Sequence, residues 1–367
     1  MKRTHSFEPV RRVFTVSAAL GFGALHFACN HRPPHGKDRA AAPASGSEQP
    51  NKLTAVDAAT PRGKALDKSG FRIALVGDEG IGERARAVLQ LIRDQSADAL
   101  VVLGDFDYEN KAQKWAELLG TLGADFPWFA VVGNHDVQSW PAYEPIIANK
   151  QRSIKGADCR GKPGVQSSCL FHNVQLIMSE IGTMGDAREE EAFIKRELAE
   201  SRAKWKLCLW HKNQHDMQTG AKTDEVGWGA YIACQQAGAI IASGHEHSYE
   251  RTRTLTKLGD HASGHGALAP FNELEVAPGK TFVVVSGLGG IQTRPFVGGH
   301  ANDTWWGAYL TSDRDSVNGQ VKTVNDANVV GAFFLDLNVD GDSKKGRGRF
   351  VTTTGRVFDD FAIHFAP

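Results

Sequence analysis

The chain has 367 residues, enough for one large domain with a tail or for two domains of average size. Hydrophobic residues make up 41% and charged residues 23%, a globular mix that excludes a disordered or fibrous chain. Lysine plus arginine equals aspartate plus glutamate at 42 each, so no overall field draws nucleic acid or anionic lipid.

The first residues include Lys2, Arg3, Arg11 and Arg12, followed by the apolar stretch Val13–Ala28. That stretch falls short of the ~20 residues that span a bilayer as a helix. A basic head and a short apolar segment predict an export signal over residues 1–29. Arg11-Arg12-Val13-Phe14 resembles the twin-arginine pattern that directs folded proteins across a membrane. Cys29, between Ala28 and a polar tail, resembles a lipoprotein cysteine; cleavage near Ala28 without a lipid is the alternative. Membrane attachment is expected only through a lipid anchor at Cys29. The expected location is periplasmic, lipid-anchored or extracellular in a bacterium.

Residues 30–70 contain no aromatic side chain and are rich in Pro, Ala, Ser, Gly and Lys. They bury too little apolar surface to offset their ordering entropy and read as a disordered linker. Four cysteines follow Cys29, an even number that suits an oxidising compartment. Cys159 and Cys169 bracket a loop with Gly, Pro and Ser, which favours a local disulfide. For Cys208 and Cys234, free buried thiols and a second bridge are both open.

From Phe71 onward, short apolar runs each end in glycine or a polar group. Ile73–Val76, Ala99–Leu103, Phe129–Val132, Leu207–Trp210, Ile240–Ala242 and Phe282–Ser286 predict strands buried on both faces of a sheet. Glu83–Gln95, Lys111–Leu122 and Ala187–Ala203 space their apolar residues as amphipathic helices. The order implies a layered α/β fold with helices outside the sheet, beginning near Phe71. Gly287–Val329 is expected to be a long loop. Its Trp305 and Trp306 either meet an organic leaving group or form a satellite apolar cluster.

The residues just past the strands are Asp78, Asp105, Asn134, His211 and His245. Open α/β sheets bind ligands outside the carboxyl ends of their strands. Any one of these residues alone is most often a turn or a cap. Five on one edge point to a metal site.

In order, the chain reads Gly77-Asp78-Glu79-Gly80, Gly104-Asp105-Phe106-Asp107-Tyr108, Gly133-Asn134-His135-Asp136, His211, and Gly244-His245-Glu246-His247. This set resembles the calcineurin-like metallophosphoesterases, and within them the purple acid phosphatase branch. Gly80 stands where the wider superfamily places a histidine, and Tyr108 takes up the lost role. His247-Ser248-Tyr249-Glu250-Arg251 resembles the phosphatase form of the last motif, and Gly331–Leu337 with Arg347–Ile363 the closing strands. The chain departs from the pattern after His211, where a proline-containing segment is missing. It departs again at Met178-Ser179, where relatives often carry an aspartate, and in having no N-terminal β-sandwich.

The resemblance implies a layered α/β fold, a β-sheet sandwich flanked by helices, as a single catalytic domain over residues 71–367. It also implies a first metal held by Asp78, Asp105, Tyr108 and His247. Asp105 would bridge to a second metal, completed by Asn134, His211 and His245. Hard oxygen donors suit Fe(III) in the first site, and the more neutral second suits divalent Fe, Mn or Zn. Such a pair generates hydroxide from bound water and clamps phosphate oxygens. His135 is implied as the general acid, with Asp136 holding its ring. Lys212, His215, Arg294 and His300 are candidates for substrate binding, with plain surface positions as the alternative. The expected function is phosphomonoester hydrolysis on a small phosphorylated substrate, with no nucleic-acid partner. A phosphodiesterase or nucleotide phosphohydrolase is the alternative. A non-catalytic binding protein on a decayed scaffold ranks last, because the ligand set is complete.

Overall fold

The computed structural model describes residues 70–366. The expected export signal, the Cys29 anchor and nearly all of the linker lie outside them. Along the first strand, Ile73 and Leu75 pack into one apolar cluster while Ala74 and Val76 pack into another. Side chains alternate across a strand, so an unbroken apolar run feeds two cores at once.

Strands β1 (Phe71–Val76), β2 (Ala99–Val102) and β3 (Trp128–Ala130) pair in parallel. Helices α1 (Glu83–Asp94) and α2 (Ala112–Gly120) form the crossovers between them. After α3 (Trp140–Ser153) the chain enters a second sheet through β4 (Asp158–Lys162), β5 (Gln166–Phe171), β6 (Val174–Ser179), β7 (Trp205–Leu209) and β8 (Ile240–Ser243). Helices α4 (Ala187–Glu200) and α5 (Trp228–Gln236) cross between its parallel strands. The chain continues as β9 (Tyr249–Thr252), β10 (Glu273–Val276) and β11 (Val283–Ser286). Then come β12 (Trp306–Leu310), β13 (Arg314–Val317) and β14 (Gln320–Thr323). β15 (Gly331–Leu337), β16 (Lys345–Thr352) and β17 (Val357–Phe365) close the fold.

The strand order is β10-β17-β16-β15-β1-β2-β3 in one sheet and β14-β13-β12-β9-β11-β8-β7-β6-β5-β4 in the other. The largest apolar cluster takes residues from both and lies between them. A second cluster joins α1, α2 and α3 to the outer face of the first sheet, and a third joins α4 and α5 to the outer face of the second. The domain is therefore a β-sandwich with helices on both outer faces. Among the described residues no helix is long and apolar enough to cross a membrane.

The stretch Gly287–Val329 differs from the expected loop, for it carries β12, β13 and β14 as an antiparallel meander. Asn318-Gly319 makes the last turn with φ of 52° and 75°. Asn-Gly favours this two-residue hairpin because both positions need positive φ. Trp305 and Trp306 join the third apolar cluster, so the satellite-cluster alternative describes them. Cys159 and Cys169 are bonded across β4 and β5, and Cys208 on β7 is bonded to Cys234 on α5.

A buried ion pair crosses the sandwich. Arg251 on β9 donates to Asp359 on β17 through Nε (2.7 Å) and Nη2 (3.0 Å), and the Tyr249 hydroxyl donates to the same carboxylate at 2.8 Å. Both side chains of the ion pair are fully buried, and the guanidinium lies 4.3 Å over the Phe361 ring. Removing one partner of such a pair leaves an uncompensated charge in the core. Asp359→Ala should lower unfolding stability by about 3–5 kcal/mol, read from urea titration.

Candidate metal centre

The strand ends bring the expected donors together because the backbone there is built for close approach. A Cβ on Gly133 would sit 2.1 Å from the Asp105 nitrogen, and one on Gly104 would sit 2.6 Å from His211 Nδ1. Past these glycines the chain turns sharply. Asp78, Asp105, Tyr108 and His245 all have positive φ, of 60°, 55°, 57° and 71°. Non-glycine residues pay for that region, and such strain gathers where side-chain aim is functional.

Asp78 and Asp105 are buried and face a ring of donors. The Tyr108 hydroxyl donates to Asp78 Oδ1 at 2.8 Å and lies 3.0 Å from His247 Nε2. His247 Nε2 is itself 3.4 Å from Asp78 Oδ1. On the other side, His211 Nε2 lies 3.2 Å from Asp105 Oδ1 and 3.1 Å from Asn134 Oδ1. The His211 and His245 rings meet at 4.8 Å between centroids, and Asp105, His211 and His245 offer donor atoms within 4.8 Å of one another.

The outer nitrogens of the three imidazoles are all occupied. His211 Nδ1 meets the Leu103 carbonyl at 2.7 Å, His245 Nε2 meets Glu225 Oε2 at 2.7 Å, and His247 Nδ1 meets the Gln292 carbonyl at 3.1 Å. A metal-binding histidine typically has its second nitrogen fixed by a carboxylate or carbonyl in this way. The donor set fits a pair of cations. Asp78, Asp105, Tyr108 and His247 would face the first, and Asp105, Asn134, His211 and His245 the second.

The electrostatics fit as well. Burial alone would raise Asp105, yet the charge and hydrogen bond of His211 and the His135 backbone N–H hold it below its ordinary value. Burial would lower His211, but Asp105 pushes it up to about 9. Burial, then the His211 and Lys222 charges, hold His245 well down and hence neutral. Tyr108 is raised well above its ordinary value by burial and by the Asp78 and Asp105 charges. The phenol therefore keeps its proton until a cation offsets those carboxylates.

The remaining candidates divide. His135 is half exposed, its ring lies tilted beside Tyr108 at 4.5 Å between centroids, and its Nε2 is 4.0 Å from Asp105 Oδ2. Asp136 does not hold that ring. It is buried, and its carboxylate accepts the backbone N–H groups of Gly133, Asp105 and Phe106 at 2.7–2.9 Å. Arg294 stays at the site edge, with Nη1 3.3 Å from Glu246 Oε2 and its backbone N–H on the His247 carbonyl. Lys212 is paired with Glu225 at 2.5 Å, and His215 Nδ1 is tied to the Lys222 carbonyl at 2.7 Å. His300 is buried with both nitrogens engaged, by Asp303 at 2.7 Å and the Gly220 carbonyl at 3.0 Å, so it is a packing residue. The sequence pattern does not reveal Glu225, which orients His245, or Lys222, whose ammonium donates to the His245 carbonyl. Both sit in an irregular loop, where no periodicity marks them.

The sequence profile described as calcineurin-like phosphoesterase matches residues 71–249, from β1 to the start of β9. The chain belongs to the calcineurin-like phosphoesterases. Within this family its homology runs to purple acid phosphatases. This phosphoesterase is 23% identical over 202 residues to "Probable purple acid phosphatase 20" of Arabidopsis thaliana, covering 50% of the chain and 47% of the relative. It is 23% identical to Purple acid phosphatase 22 of the same plant, covering 50% and 45%. The chain thus aligns with about half the length of these curated relatives. Its fold matches the structure of purple acid phosphatase PPD1 from yellow lupin seeds with a TM-score of 0.57. That match has 15% identity and covers 81% of this chain and 54% of the lupin chain.

The Asp105–His211 pair gives the metal-free phosphoesterase a defined pH response. His211 is raised above its ordinary 6.5, so its contribution is complete below that pH and lost as pH rises through about 9. Asp105 is lowered from 3.8, so its contribution is present above that value and lost below it. Chelator-treated wild type should lose stability between about pH 6.5 and 9.5, whereas His211→Ala should respond far less. Urea unfolding at the two pH values measures the difference.

Proposed function

We propose that the chain is a dinuclear-metal phosphatase that hydrolyses small phosphomonoesters in the manner of a purple acid phosphatase. The observation that carries this reading is the set of three imidazoles. Each has its outer nitrogen fixed, and their remaining nitrogens are left to two buried aspartates, a phenol and an amide oxygen. Bound there, two cations supply the charge that activates a water and offsets the phosphate oxygens. Hard donors at Asp78, Asp105 and Tyr108 favour Fe(III) in the first position, and the more neutral second position suits Fe, Mn or Zn as a dication.

The chain's own groups then divide the work. Arg294 and His247 line one shallow cavity, where the guanidinium can meet a phosphate oxygen. His135 is open to solvent beside Tyr108 and delivers a proton to the departing alkoxide. Asp136 fixes the Gly133–Asp136 turn against Asp105, which sets where His135 stands. The proposed location, outside the cytoplasm, rests on the basic head and short apolar stretch of the sequence.

A tyrosinate on Fe(III) gives a visible charge-transfer band. Tyr108→Phe should bleach that colour with the fold intact; a colourless, iron-free wild type would remove the tyrosinate–iron assignment.

His135→Ala should keep both metals and slow alkyl phosphate turnover by roughly 10²–10⁴-fold. Aryl phosphates, whose leaving groups need little protonation, should slow far less. An equal loss on both would assign His135 to positioning. Faster turnover of a bis-aryl phosphate by wild type would make the protein a diesterase.

A further inference from the structure

A second cluster of metal-type donors lies apart from the phosphoesterase site and shares no residue with it. Asp216, His261 and His265 offer one carboxylate oxygen and two imidazole nitrogens within 4.8 Å of one another. Asp216 sits in the short 3₁₀ turn His215–Met217, and both histidines sit in the 3₁₀ segment His261–Gly266. His261 Nδ1 is 3.0 Å from Asp216 Oδ2, and His265 Nε2 is 3.4 Å from the same oxygen. Two ligands of a cation with bonds of about 2.0–2.1 Å stand roughly 2.9–3.4 Å apart, so both separations suit a shared ion.

His265 supplies the independent observation. It is fully buried, yet neither ring nitrogen makes a hydrogen bond, Nε2 having only its 3.4 Å approach to Asp216. Leaving a buried polar group in that state is costly, and a cation on Nε2 would relieve that nitrogen. Its backbone is held in the left-handed region at φ 54°, and its carbonyl accepts the N–H groups of Thr256 and Lys257 at 3.2 and 2.9 Å. The Trp305 and Trp228 rings lie 4.6 and 5.1 Å from the imidazole. Trp305 also donates Nε1–H to the Asp216 carbonyl at 2.9 Å, which fixes the turn that carries the carboxylate. His261 is mostly exposed and leaves one side of the cluster open to solvent.

We propose that Asp216, His261 and His265 form a separate binding site for a zinc-type dication, with an open coordination position on the solvent side. Two imidazoles and one carboxylate are the donors that a borderline dication prefers over calcium or magnesium. The ion ties the segment after β9 to the loop that follows His211. This assignment is independent of the phosphatase reading.

The test strips the purified full chain with chelator, reloads it with Zn(II), removes free ion by gel filtration and counts zinc per chain. The wild type should hold one equivalent more than His261→Ala, whose exposed site makes the substitution harmless to folding. Asp216→Asn, nearly isosteric, should lose the same equivalent. Equal zinc content in wild type and His261→Ala would overturn the proposal. So would a loss in His261→Ala without one in Asp216→Asn, because a lone surface imidazole then accounts for the ion. The difference between proteins decides, so incomplete loading of the phosphoesterase site lowers every total and leaves that difference unchanged. With Co(II) as a second probe, the wild-type minus His261→Ala spectrum should show the d–d bands of a coordinated ion, and a flat difference would argue against it.

Discussion

Asp78, Asp105 and Asp136 are buried within a few residues of three adjacent strand ends, and burying carboxyl groups without hydrogen-bonding or charged partners is costly. The surroundings answer that cost group by group. The His245 N–H serves Asp78, the His135 N–H serves Asp105, and three backbone N–H groups converge on Asp136. Loops can reach those positions only because glycine lets the end of the first strand come within contact of Leu103 and Gly244, and the end of the second within contact of Gly133 and His211. The two sheets and the outer helices hold the strand ends in register, and the Arg251–Asp359 contact ties one sheet to the other across the core.

The compensation is incomplete by design of the donor set. Around Asp78 and Asp105 the partners are a protonated phenol, a neutral imidazole, an amide oxygen and one charged imidazole. A cation bound to such a set would displace protons from Tyr108 and His211, so its affinity would rise with pH. Glu225 and the Leu103 and Gln292 carbonyls matter as much as the donors themselves, because they decide which nitrogen each ring presents.

Much of this is legible in residue order. The inner strands announce themselves as short apolar runs because both faces are buried, and the donors follow because a strand must end before its side chains can reach a ligand. β13 and β14 are less legible, since Arg314–Val317 and Gln320–Thr323 are mostly polar and carry no apolar run; their signal is the Asn318-Gly319 turn. Asp136 misleads because adjacency to His135 in sequence suggests adjacency in space, whereas its carboxylate turns inward to the backbone of the neighbouring loop. Glu225 and Lys222 belong to a loop with no period. They are held by contacts with Lys212, His245 and Glu246, distant in sequence, which a linear pattern does not encode.

The left-handed backbone at Asp78, Asp105, Tyr108 and His245 sets a direction for evolutionary drift. Glycine occupies that region freely, so replacing any of the four with glycine relieves local strain even as it removes a donor. If selection for a metal there relaxes, glycine at these positions returns part of the stability lost with the side-chain contacts. A descendant of this chain that had abandoned its chemistry would then carry glycines at its strand ends while keeping the Asp136 carboxylate that holds the loops together. That pattern separates an abandoned site from a rebuilt one, in which new donors would replace the old.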